Sequence, residues 1–262
     1  MTGSGHPAAQ PSPAQPLSLN PNVTHPPFPW LIAIPSTWAL LDTNPQSWQR
    51  SAAKLVDERF TGRSLKAAER RAVLGFLEQL VADCQRANAT LSMIQLGRMS
   101  TGAVGSAGLH LAWFDSRTEP ASLALVRQSL PRSGVVEQVD TPSGPGLLHT
   151  DRASIVPPGA SARVRSQVWQ FFLPLPGTTW TAVLSAATPH PEMEAMLREL
   201  IIVVAGSIER ADPADGAPPR PDGPADSYES APPVQGPGIE KGFGTMLRRR
   251  VDGAGQEPRP HG

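Results

Sequence analysis

Proline sets the first constraint. It has no N–H to give to a helix or a sheet ladder, so a folded unit admits it only in first turns, edges and loops. Of the 30 prolines in the 262-residue chain, eight lie in residues 1–29 and ten in residues 211–262. The 181 residues between them hold twelve. All six tryptophans fall between Trp30 and Trp180. This distribution predicts one globular domain over residues 30–210. Residues 1–29 read as a disordered Pro-rich arm and 211–238 as a disordered Pro/Gly/acidic linker. Residues 239–251 read as a short amphipathic basic segment, followed by a disordered tail at 252–262. A domain of about 180 residues buries roughly 70% of its unfolded surface, so it needs neither metal nor disulfide to fold.

Composition removes several classes. The 23 Lys+Arg balance 23 Asp+Glu, which argues against a general nucleic-acid binder, whose affinity rests on neutralising phosphates. The single Cys84 excludes an internal disulfide and a multi-Cys metal site. It sits in an apolar helical pattern and reads as a buried thiol. Residues 1–29 show no charged region followed by an apolar one, so no secretory signal or membrane anchor is expected. Apolar stretches such as 200–206 are far below spanning length. The expected location is cytoplasmic. Arginine outnumbers lysine twenty to three beside abundant Ala, Gly and Pro. All four have GC-rich codons, which suggests an actinobacterial genome.

Hydrophobic spacing gives the elements. Residues 30–34 form a short apolar strand stopped by Pro35. Trp48, Ala52, Leu55, Val56 and Phe60 recur at helical spacing, and Gly62 ends that helix. Ser64 is expected to cap a second helix reaching about Ala87, with Val73, Phe76, Leu77, Leu80, Val81 and Cys84 on its inner face. Strands at 91–96 and 109–114 flank a Gly-rich stretch, 97–108, expected to be a flexible hairpin loop. A short helix follows Pro120. Strands at 135–139 and 146–149, then 163–173 and 179–187, are joined by Pro/Gly turns. A last helix begins at Pro191 and carries Leu197, Leu200, Ile201, Val204 and Ile208. Short turns between successive strands imply hairpins. The fold class is therefore α+β, with a mainly antiparallel meander sheet of about six or seven strands covered by helices.

The opening strand ends in Ile34-Pro35-Ser36-Thr37-Trp38, and a late hairpin over 167–173 and 179–188 feeds a C-terminal helix at 191–209. In this layout the chain resembles the Mog1/PsbP-like superfamily, and more closely small actinobacterial proteins that share it. The resemblance implies a mostly non-catalytic protein that binds other proteins or sits on larger complexes. It fixes no catalytic residues.

The residues themselves point the same way. The glycine-rich 97–108 has no Gly-Lys-Ser/Thr ending and leads into a strand, so it is not a phosphate loop. Ser106 lacks the glycine two residues before it that a nucleophile elbow needs. No His pair has zinc-ligand spacing, and no metal, cofactor or catalytic residue is expected. Trp38, His110 and His149 are the candidate pocket or surface anchors. His149 with Asp151, or His110 with Asp115, is an acid–base pair if the sheet brings the two together.

The tail carries the clearest binding signal. Ile239, Phe243, Met246, Leu247 and Val251 fall at i, i+4, i+7, i+8 and i+12, with Arg248, Arg249 and Arg250 mostly off that stripe. Gly242 and Gly244 each cost up to about 1 kcal/mol in a helix, so the segment is expected to fold only on binding. Three receptors fit it: a groove on a protein partner, an anionic membrane surface, or its own domain. The expected function is thus a non-catalytic binding or adaptor protein whose C-terminal segment recruits an unknown protein. The alternatives are a small-ligand site or enzyme between sheet and helices, and peripheral membrane association through 239–251.

Overall fold

The computed structural model describes residues 23–62, 65–99, 104–155, 164–211 and 246–251. The strands are β1 Trp30–Pro35, β2 Ala39–Leu40, β3 Leu91–Arg98, β4 Val104–Asp115, β5 Val135–Thr141, β6 Gly144–Ile155, β7 Val164–Pro174, β8 Trp180–Thr188, β9 Glu209–Arg210 and β10 Met246–Val251. The helices are α1 Trp48–Arg59, α2 Ala67–Arg86, α3 Leu123–Ser129 and α4 Glu194–Ala205. The protein is α+β, as the spacing predicts.

Two sheets form. The larger has seven antiparallel strands in the order β2-β3-β4-β8-β7-β6-β5. Strands β5 to β8 make the expected meander. The β5–β6 turn is tighter than expected, since Thr141 pairs with Gly144 and only Pro142 and Ser143 lie between. Gly144 there adopts a φ of +121°, which favours glycine. The smaller sheet has the order β10-β1-β9. The opening strand therefore belongs to a separate ribbon.

Alternation of side chains across the strands divides the interior in two. Met93 enters one core and its neighbour Ile94 the other. The first core lies between the large sheet, α4 and the small sheet. It holds Trp30, Ile32 and Ile34 of β1, Trp169, Phe171 and Leu173 of β7, and Leu197, Leu200, Ile201 and Val204 of α4. The rings of Trp30 and Trp113 meet there edge to face at 5.1 Å between centroids. The second core lies on the opposite face under α1 and α2, and holds Ala52, Val56, Val73, Leu77 and Val81.

Several local expectations need correction. Ser64 lies outside the described residues. Helix α2 is instead capped at Lys66, whose backbone N–H donates to Glu69 Oε2 at 2.8 Å. Most of 97–108 is strand: Gly97 pairs with Gly105 and Ile94 with Gly108. Glycine serves packing there, because a Cβ on Gly108 would meet the Leu80 methyls at 3.0 and 3.1 Å. The last helix ends at Ala205, and Glu209 and Arg210 turn back as β9 along Leu31 and Trp30.

Candidate functional site

Register places the two candidate histidines on one row. Ser92 faces His110, His110 faces Ser185, Ser185 faces Gln170, Gln170 faces His149 and His149 faces Val136. The row crosses the large sheet on the face that α2 and α3 cover. Helix α2 packs on β4 at one end of that face, and α3 packs on β6 and β7 at the other. His110, Gln170, Ala112 and Val183 are half-buried between them. Adjacent strands are about 4.8 Å apart, so three strand steps put roughly 14 Å between His110 and His149.

Each group on the row has its own setting. Ser92 Oγ donates to Cys84 Sγ at 3.0 Å. Burial pushes the Cys84 thiol up to about 11, so it is inert near neutrality. Burial holds the His110 imidazole below its ordinary value, against the opposing pull of Asp83. Gln170 Nε2 donates to Ser185 Oγ at 3.5 Å. His149 is buried, and its Nε2 lies 2.8 Å from the Ser133 carbonyl. A carbonyl only accepts, so Nε2 carries the proton.

In the two predicted acid–base pairs, His149, Asp151 and Asp115 have their hydrogen bonds elsewhere, although His149 also helps to lower the Asp151 pKa. His149 spends its Nε2 on Ser133. Asp151 takes the Arg152 N–H at 2.7 Å and the Ser133 hydroxyl at 3.0 Å, which hold it below the usual carboxylate range. His110 and Asp115 sit five residues apart on β4, hence on opposite faces. Asp115 accepts instead from Thr179 Oγ1 and from the Arg117 N–H, and its pKa is lowered. Trp38 is buried in the first core.

Two small depressions lie among the described residues. One depression of about 180 Å³ lies among Pro142, Leu175, Ile208 and Arg210. Another of about 120 Å³ lies among Arg152, Ser166, Gln167 and Glu194. Both fall below the usual volume of a small-molecule site, and Trp38, His110 and His149 line neither. Among the described residues, no group of three or more His, Cys, Asp or Glu is placed to hold a metal. Among them too, no helix is long and apolar enough to cross a membrane.

The tail segment is placed differently from its helical pattern. Met246 to Val251 form β10, antiparallel to β1, with Val251 opposite Trp30, Arg249 opposite Ile32 and Leu247 opposite Ile34. The seat is its own domain. Ile239 and Phe243 lie outside the described residues. Ala33 N–H donates to Ser207 Oγ at 2.9 Å, and Pro29 O accepts from Ala211 N–H at 2.9 Å. Main-chain groups alternate in direction along a strand, so Ile32 and Ile34 turn theirs toward β10. By the same alternation Met246 and Arg248 turn theirs away from β1. Val251 is 2% exposed, Met246 packs against the first core, and Leu247 is 40% exposed. Arg248 pairs with Glu209 across the ribbon.

The chain matches no protein-family model, no curated protein and no solved structure.

Proposed function

We propose that the protein is a non-catalytic binding or adaptor protein of the cytoplasm, and that its C-terminal segment recruits a protein partner. The resemblance to the Mog1/PsbP-like superfamily is part of this reading. One observation carries it: Met246–Val251 is an outer strand of the small sheet, with Leu247 and Arg248 exposed on it. A strand in that position has one side for β1 and one side for a newcomer. The newcomer is an extended segment that adds alongside β10 through main-chain hydrogen bonds. Three successive arginines favour an acidic segment, and such charges act mainly on encounter rate and partner choice. The recognition residues are then Met246, Leu247, Arg248, Arg249 and Arg250, held as a strand.

The test uses full-length protein as bait in lysate of the source organism, beside the variants Leu247→Ala and Arg249→Glu. The prey is then purified and its Kd measured against each. We expect a prey whose Kd weakens at least tenfold with the charge reversal, while unchanged exchange protection of the Ile32 and Ile34 amides shows β10 still seated. Equal affinity for all three proteins would place recognition elsewhere.

A further inference from the structure

We infer that β10 is an exchangeable strand, and that its seat on β1 also takes Met246–Val251 from a second copy of the chain. The inference concerns the inner edge of β10 and does not depend on any outside partner.

The seat is made for a strand. Strand β1 reads Trp-Leu-Ile-Ala-Ile-Pro and carries no charge. Its other edge is already satisfied by β9, by Ser207 and by the missing N–H of Pro35. The edge formed by Ile32 and Ile34 is filled by β10 over six consecutive pairs. An apolar edge of this kind is an open template when uncovered.

The strand carries its own docking contacts. Val251 closes over Trp30, Met246 reaches the first core, and Arg248 meets Glu209. All of these partners lie in the domain body. A β10 from another copy finds the same groups in the same register.

The connection permits both routes. Residues 212–245 join the two parts, 34 residues in all. The path within one copy starts at Ala211, beside Pro29, and ends at Met246, opposite Pro35. Two strand spacings across and six residues along make roughly 22 Å. A chain of that length reaches about 110 Å when extended. It closes on its own domain easily and reaches a neighbour as well.

The contacts being equal, concentration divides the two forms. For a flexible tether the effective concentration is on the order of 1 mM. About 1% of strands then sit on a second copy at ~10 µM, and about half at ~1 mM. Reciprocal exchange closes a two-fold pair and leaves no seat empty.

The test is disulfide trapping between full-length chains. Ala33 and Arg248 are directly opposite, on a pair whose Cα atoms are about 4.5 Å apart when its main-chain groups point outward, within disulfide range. One chain carries Ala33→Cys and the other Arg248→Cys. Buried Cys84 does not compete. A mixture of Ala33→Cys with Glu78→Cys, on exposed α2 surface, measures chance collision. A chain with both Ala33→Cys and Arg248→Cys reports the route within one copy. We expect bridged Ala33→Cys/Arg248→Cys dimers on a non-reducing gel, rising at least tenfold between 10 µM and 1 mM and well above the collision control. The doubly substituted chain should close as a bridged monomer at 10 µM. Dimer no higher than the control, with the monomer bridged, would make β10 a fixed strand and overturn exchange alone. Failure of the doubly substituted chain to bridge would remove β10 from β1, and with it the surface proposed for the partner.

Discussion

His110 shows what burial does to a single side chain. It was legible in the sequence only as a histidine on a strand. Its place on a row with Ser185, Gln170 and His149 depends on the pairing of β4 with β8, elements some 70 residues apart, and no local pattern encodes that register. Cys84 was legible, because a thiol on the apolar stripe of a long helix has nowhere to point but inward. Burial lowers the His110 pKa below its unfolded value near 6.5. Between those two values the unfolded chain holds a proton that the native chain does not. Stability from this site is therefore full above about pH 7.5, falls as pH drops through 6.5, and levels off only below the folded pKa. His190 is shifted the same way, whereas the shifted carboxylates Asp42, Glu69, Asp115 and Asp151 act mainly below about pH 5. The His110 ring resonances should titrate with a midpoint below 6.5. The loss of unfolding free energy from pH 7.5 to 5.5 should be smaller in His110→Gln. A midpoint at or above 6.5 contradicts this account.

At the scale of elements, α1, α2, α4 and the late hairpins could be read because each carries a long, unbroken period. Strand β10 could not. Met246, Leu247 and Val251 fit a helical stripe with Ile239 and Phe243. Six residues with three adjacent arginines show no clean alternation. What decides the strand is β1, far away in sequence, with its uncovered Ile32 and Ile34 edge. The stretch 97–108 fails for a related reason. Its glycines look like loop residues, yet Gly108 is small because Leu80 of α2 lies on it. These placements suggest a local test. Val251 is 2% exposed and opposite Trp30, so Val251→Asp buries an unpaired carboxylate, at a cost of several kcal/mol. That exceeds what one edge strand of six residues can hold. Hydrogen exchange of the Ile32 and Ile34 amides should accelerate at least tenfold, while Leu111 and Leu184 in the large sheet keep their protection. Unchanged exchange at Ile32 and Ile34 would show that β10 does not cover that edge.

Over the whole molecule, the large sheet separates cores of unequal size. Among the described residues, 25 buried side chains form the first and nine form the second. Local stability follows buried contact. Helices α1 and α2 should therefore open together, at lower free energy than β4, β8 and α4. Hydrogen exchange in low urea would show it as a group of α1 and α2 amides with one common opening energy. Exchange of these amides at the global rate would instead make the two cores one cooperative unit. The sequence announced an α+β meander under helices but not the division into two sheets, because that division rests on which edge β1 chooses. The small sheet joins β1 to a strand more than 200 residues further along. The ribosome therefore releases Trp30, Ile32 and Ile34 long before it makes Leu247, Arg249 and Val251. During synthesis the nascent chain carries an apolar, unpaired strand, and the large sheet can assemble while that strand still waits. Translation thus holds a window in which chaperones, or another nascent copy on the same message, meet β1 before its own partner exists.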